Sequence, residues 1–197
     1  MTVATAQIYL ASSSPRRREL LEQIGVRYEL VKADVDEAWD GREDPYDHAL
    51  RLALEKAQAG RQAVTGNPLP VLGADTIVVL DGEVLGKPAG REQGMAMLLR
   101  LAGRSHQVAT AVALIDDARQ MTRLSISRVS LAVLTPTQCA AYWDSGEPQD
   151  KAGGYAIQDR AAGFISHLEG SYSGVMGLPL FETVGLLAAF GIDIFSQ

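Results

Sequence analysis

The sequence predicts an α/β protein, because strand and helix signals alternate in two stretches and a strand hairpin follows in a third. In the first, the apolar run Ile8–Ala11 precedes Ser12-Ser13-Ser14-Pro15, after which Leu20, Leu21 and Ile24 recur at helical spacing. In the second, Tyr28–Val31 reads as a strand and Asp44-Pro45 opens a long amphipathic helix. In the third, Val71–Leu80 and Glu83–Leu85 flank Asp81-Gly82, a favoured two-residue hairpin turn.

Size and composition narrow the function classes. At 197 residues the chain can build one sizeable core, and we expect a single domain over residues 1–197. A hydrophobic share of 47% with 21% charged residues argues against disorder. The apolar runs are far shorter than a membrane span, so no membrane partner is expected. The single cysteine, Cys139, excludes an intramolecular disulfide framework and fits a reducing compartment, hence the cytoplasm. A net charge of −6 speaks against a dedicated nucleic-acid binder, which needs a broad basic face. A small polyanionic substrate needs only a local positive pocket.

The first helix holds the main anomaly. Ser14 suits the N-cap, Pro15 the first helical position and Gly25 the stop. Helix N-termini carry unpaired N–H groups and a positive dipole end, so acidic residues belong there. Here Arg16, Arg17 and Arg18 fill the first turn. An anion held by the free amides, the serine hydroxyls and the guanidiniums resolves the conflict, which makes this turn a candidate phosphate site, with a solvated basic patch as the alternative.

The second strand leads into Asp34-Val35-Asp36-Glu37, where a carboxylate such as Glu37 is either solvated or holds a hard divalent cation beside phosphates. The helix from Asp44-Pro45 to about Val64 places Tyr46, Ala49, Leu50, Leu52, Ala53, Leu54 and Ala57 on one arc. Lys56 projects inside that apolar arc. It must snorkel out, pair with a carboxylate or face an internal anion.

Asp75 is the outlier of the hairpin, a carboxylate in the middle of an apolar strand. Burying it unpaired costs several kcal/mol or forces protonation, so it needs a partner, a metal or water. It is a candidate general base or metal ligand, with a structural hydrogen-bonded role as the alternative. Gly73 beside it allows close approach to the backbone. Lys87, held by Pro88, is a second candidate phosphate contact.

Arg91–Ala102 reads as a helix stopped by Gly103, and His106–Ile115 and Leu124–Leu134 as strands. His106 is expected to satisfy a hydrogen bond, and the histidines lack metal-ligand spacing. Thr135-Pro136 opens a helix in which Cys139 packs as an inert thiol. Glu147–Gln158 is turn-rich and enters a short strand, Phe164–Leu168 is another strand, Gly170–Pro179 is a glycine–serine loop, and Pro179–Phe190 is a closing helix. Gln158 has an amide able to read a base edge, although a lone glutamine also serves structure.

These pieces together resemble the Maf family of nucleoside triphosphate pyrophosphatases. The likeness rests on Ser12-Ser13-Ser14-Pro15-Arg16-Arg17, Asp34-Val35-Asp36-Glu37, the helix with Lys56, Gly73-Ala74-Asp75-Thr76, Gly86-Lys87-Pro88, Glu147-Pro148 with Asp150-Lys151-Ala152-Gly153-Gly154-Tyr155-Ala156-Ile157-Gln158, and the segment Gly170–Leu180. It runs unbroken from about Ile8 to Ile192. The resemblance implies an elongated mixed sheet flanked by helices, two lobes around a central cleft as in inosine triphosphate pyrophosphatases, and a homodimer. It also implies release of pyrophosphate from a nucleoside triphosphate with Mg²⁺ or Mn²⁺.

In that reading Asp75 activates a water, and Ser12, Ser14, Arg16, Arg17, Lys56 and Lys87 cradle the triphosphate. Glu37, and Asp75 as ligand, base or both, would hold the metal. Thr76 and Gln158 would face the base. The combination of Arg16, Thr76 and Gln158 looks like the branch acting on dTTP and UTP, from which Asp159 departs, since that branch usually has glycine there. The alternatives are the 7-methyl-GTP branch and a non-catalytic nucleotide-binding regulator of cell division.

Overall fold

The computed structural model describes residues 5–66 and 69–195. Strand β1 (Ile8–Ala11) is wholly buried and turns through the serines into helix α1 (Pro15–Gln23), which Gly25 ends at a φ of 71°. Strand β2 (Tyr28–Leu30) is followed by an irregular loop carrying Glu37, then by α2 (Pro45–Ala63). The Asp44 carboxylate caps α2 by accepting from the Tyr46 and Asp47 amides, and Pro45 fills the first turn. Strand β3 (Val71–Leu80) turns at Asp81 and Gly82, both at positive φ (54° and 82°), and returns as β4 (Glu83–Leu85). That backbone is what the mirror-image hairpin turn requires. Helix α3 (Arg91–Leu101), the long hairpin of β5 (Ser105–Ile115) and β6 (Gln120–Leu131), and α4 (Pro136–Asp144) come next. Strand β7 (Ile165–Glu169), the short α5 (Tyr172–Met176) and α6 (Leu180–Ala189) complete the chain.

Among the described residues seven strands form one mixed sheet, ordered β2-β1-β3-β5-β6-β7, with β4 also on β3. Strand β3 organises it. On one edge it pairs with β5 over Val71–Val79. On the other edge β1 covers only Val71–Gly73 and β4 covers only Val78–Leu80. Ala74–Ile77 therefore faces a gap between two strands, and that gap opens the cleft.

Alternation along β3 distributes its side chains over three apolar clusters. Val71, Ile77 and Val79 pack with Ala49, Ala53 and Ala57 of α2 on one face. On the opposite face Leu72 and Ala74 join α1 and α6 through Leu20, Leu21, Leu186 and Leu187. Val78 and Leu80 join α3 and α4 through Leu98, Leu101, Cys139 and Tyr142. Thr76 falls between these last two clusters and is the β3 residue that is not fully buried. The two lobes are the packed bodies on either side of it.

The α/β class, the mixed sheet and the flanking helices agree with the sequence. Three local expectations do not. Tyr155–Gln158 forms turns rather than a strand, with the Ala156 amide donating to the Tyr142 hydroxyl instead of a ladder partner. Strand β6 starts at Gln120, because its polar first residues pair in full with the end of β5, and it stops at Leu131. The Gly170–Pro179 loop contains α5, whose first turn Ser171 caps by accepting from the Gly174 amide.

Candidate active site

A cleft of about 560 Å³ lies at the gap on β3, a size usual for small-molecule sites. Ser12, Ser14, Arg16, Arg17, Glu37, Lys56, Asp75, Thr76, Lys87 and Gln158, all singled out from sequence, line it together. Five cationic side chains, counting Lys151, face three carboxylates there.

The serine turn forms one wall. Ser14 occupies the N-cap position of α1 but makes no side-chain cap hydrogen bond, and the first turn holds no acidic residue. Its amides are left for an anion. The Ser12 hydroxyl oxygen accepts from the Ser14 amide at 3.3 Å and from Arg17 Nη1 at 3.0 Å, which leaves its own proton to donate.

Arg17 is a brace as well as a charge. Its Nε donates to the Gly177 carbonyl at 2.8 Å and its Nη2 to Thr76 Oγ1 at 3.3 Å. Three of five N–H donors are thus engaged, joining the serine turn, β3 and the segment after α5. Burial lowers the Arg17 pKa, Asp75 opposes the shift and Arg16 reinforces it. Arg16, half-buried, donates to the Met176 carbonyl at 3.2 Å. Burial lowers its pKa too, against the nearby Asp159 and Glu19 carboxylates.

The opposite wall is a ladder of alternating charge. Lys56 Nζ lies 2.6 Å from Asp75 Oδ1 and 2.6 Å from Glu37 Oε1, and Lys87 Nζ lies 3.2 Å from Glu37 Oε2. Of the fates open to Lys56, pairing with carboxylates is the one observed. Burial pushes the Glu37 carboxyl up, but Lys56 and Lys87 outweigh it and hold the group below its ordinary range. Helix α2 reaches β3 closely enough for this contact because position 73 is glycine. A Cβ there would lie 2.6 Å from the Ala57 backbone nitrogen.

Glu37 and Asp75 offer the hard oxygens that a divalent cation accepts when substrate phosphates and water complete its shell. No group of three or more His, Cys, Asp or Glu able to hold a metal occurs among the described residues.

Thr76 faces the cleft with its hydroxyl already placed. Thr110 Oγ1 donates to the Gly174 carbonyl at 2.7 Å, so in the 2.9 Å contact between the two threonines Thr76 is the donor. One lone pair of Thr76 remains for a ligand. Gln158 Nε2 donates to Asp159 Oδ2 at 3.1 Å, which engages its side-chain amide.

Lys151 on the cleft wall was missed as a site residue. Its signal was a cation just before Ala152-Gly153-Gly154, in a turn-rich segment that carried part of the resemblance but in which only Gln158 was given a site role. Burial, reinforced by Arg16, lowers its pKa. Val78, Val108, Ile157 and Met176 supply an apolar lining. His106 bonds Tyr155 through Nε2 at 2.7 Å, burial pushes the Cys139 thiol up, and neither residue lines the cleft. No helix among the described residues is long and apolar enough to cross a membrane.

Residues 7–190 match the family described as Maf-like protein. The chain is 59% identical over 190 residues to a dTTP/UTP pyrophosphatase of Alkalilimnicola ehrlichii, covering 94% of each chain. It is 49% identical to one of Saccharophagus degradans, covering 98% of this chain and 93% of the relative. It is 47% identical to one of Chromobacterium violaceum, covering 98% and 100%. The solved structure of the Staphylococcus aureus Ham1 protein aligns with a TM-score of 0.44 at 17% identity, covering 64% of this chain and 71% of that one.

Proposed function

The chain belongs to the Maf family, and on that footing we propose that it hydrolyses dTTP and UTP to the monophosphate and pyrophosphate. The observation that carries the proposal is the Asp75–Lys56–Glu37 ladder facing the uncapped, arginine-bearing start of α1 across one cleft. A buried carboxylate with a fixed cation is suited to proton transfer, and the opposite wall is suited to phosphates.

A water attacks the α-phosphorus, forming a new P–O bond, and gives its proton to Asp75. Lys56 holds Oδ1, so Oδ2 is the oxygen that takes it. The bond from the α-phosphorus to the bridging oxygen breaks, and pyrophosphate leaves with the electron pair. Pyrophosphate tolerates negative charge well, so positioning and charge neutralisation are the tasks that remain. Ser12, Ser14, Arg16, Arg17, Lys56 and Lys87 provide them, and Thr76 and Gln158 face the base. Glu37 and Asp75 would hold a divalent cation, which would supply further charge neutralisation at the phosphates.

The test is pyrophosphate release from dTTP, UTP, CTP, GTP, ATP and 7-methyl-GTP, with Mg²⁺ and with Mn²⁺. We expect turnover of dTTP and UTP, and a loss of about 10²–10⁴-fold in Asp75→Asn, which keeps the shape but not the base. A folded Asp75→Asn protein that turns over at the parent rate rejects the role of Asp75. Preference for 7-methyl-GTP rejects the base assignment.

A further inference from the structure

We propose that Tyr142 and Glu147, neither of which lines the cleft, are positioning residues that hold the base-facing segment in place. The inference rests on the reading above that Gln158 faces the base.

The Glu147 carboxylate accepts three hydrogen bonds. Oε1 takes the Tyr142 hydroxyl at 2.7 Å and the Ala161 amide at 3.2 Å, and Oε2 takes the Arg160 amide at 3.0 Å. The Tyr142 oxygen in turn accepts from the Ala156 amide at 3.1 Å. One phenol and one carboxylate therefore grip the backbone on both sides of Gln158. The segment needs such a grip, because Tyr155–Asp159 belongs to no strand or helix and has no ladder to fix it.

The grip is rigid at its base. Tyr142 is buried at 7% exposure on α4, and its ring meets Phe164 edge-on with centroids 5.0 Å apart. Ring packing survives loss of the hydroxyl, so Tyr142→Phe removes the two hydrogen bonds and little else. The Ala156 amide then loses its partner in a buried place, which favours rearrangement of the segment. Asp75, Lys56 and the serine turn lie on other elements and keep their geometry.

The measurement is kcat and KM of Tyr142→Phe, Glu147→Gln and Gln158→Ala, as full-length proteins, on dTTP, UTP, CTP and GTP, with thermal unfolding alongside. We expect Tyr142→Phe and Glu147→Gln to raise KM for dTTP and UTP by about tenfold, with kcat within about twofold, and to narrow the preference over GTP. A merely structural role lowers the unfolding temperature and leaves KM alone. Unchanged KM and preference in Tyr142→Phe, while Gln158→Ala alters them, overturns this inference and spares the base-facing reading. Unchanged values in Gln158→Ala overturn that reading and the inference with it. Should Tyr142→Phe not fold, Glu147→Gln decides by the same criteria.

Discussion

Lys56 and Asp75 meet at 2.6 Å across the interface between α2 and β3, each side chain only 9% exposed. Neither residue suits its own element. Lysine sits in the apolar arc of a helix and aspartate in an apolar strand, and each answers the other. The pair is placed at the gap left on β3 between β1 and β4, so the ammonium also reaches Glu37 and both carboxylates open on the cleft.

Removing the cation should therefore be costly. In Lys56→Met the buried Asp75 carboxylate loses the cation it bonds and keeps only the longer-range charge of Arg17, and we expect about 3–5 kcal/mol of lost stability at pH 7. The double variant Lys56→Met/Asp75→Asn should recover much of that loss, since no unpaired charge remains at the strand. Urea unfolding of the three proteins checks both statements. A loss below about 1 kcal/mol in the single variant would show that water already reaches and screens the pair.

Gly73→Ala should damage function from a distance. The new methyl would press on the Ala53 carbonyl and the Ala57 amide, which are backbone groups of α2 and cannot turn aside. Overpacking of this kind costs about 1–3 kcal/mol, and the relief available is for α2 to shift away from β3. Lys56 would move with it. We expect turnover to fall more than nucleotide binding, measured at a temperature where the variant is fully folded. Normal turnover in such a protein would show that the Lys56–Asp75 contact tolerates the shift.

Much of this site was legible because its residues break local rules. Arg16 and Arg17 at a helix start, Lys56 in an apolar arc and Asp75 in an apolar strand each conflict with the pattern around them, and all line one cleft. The cap-then-proline starts of α2 and α4, the proline start of α1 and the Asp81-Gly82 turn were equally readable, whereas Ser14 does not make the side-chain cap its position suggested. What escaped depends on partners distant in sequence. Tyr155-Ala156-Ile157 has strand-like composition, but Ala156 bonds a side chain fourteen positions earlier. The single turn of α5 rests on Ser171 and on Thr110 from β5, which glycine-rich composition does not announce. Arg17 read as a phosphate ligand, whereas its bond to Gly177 spans 160 positions and makes it a brace too.

Stability should fall on mild acidification through His106. Its ring is 3% exposed, Nε2 meets the Tyr155 hydroxyl and Nδ1 has no partner. Burial lowers its pKa to about 4 from an ordinary 6.5. The unfolded chain then takes up a proton below pH 6.5 that the folded chain refuses until about pH 4. The sign follows: the contribution is fully present above the unfolded value, declines as pH falls through the window, and levels off below the folded value. Its size is on the order of 3 kcal/mol. Urea midpoints taken across that window should drop steadily in the parent protein and more shallowly in His106→Gln, which has no proton to gain there. Equal slopes for the two would assign the acid sensitivity to the carboxylates and remove His106 from the account.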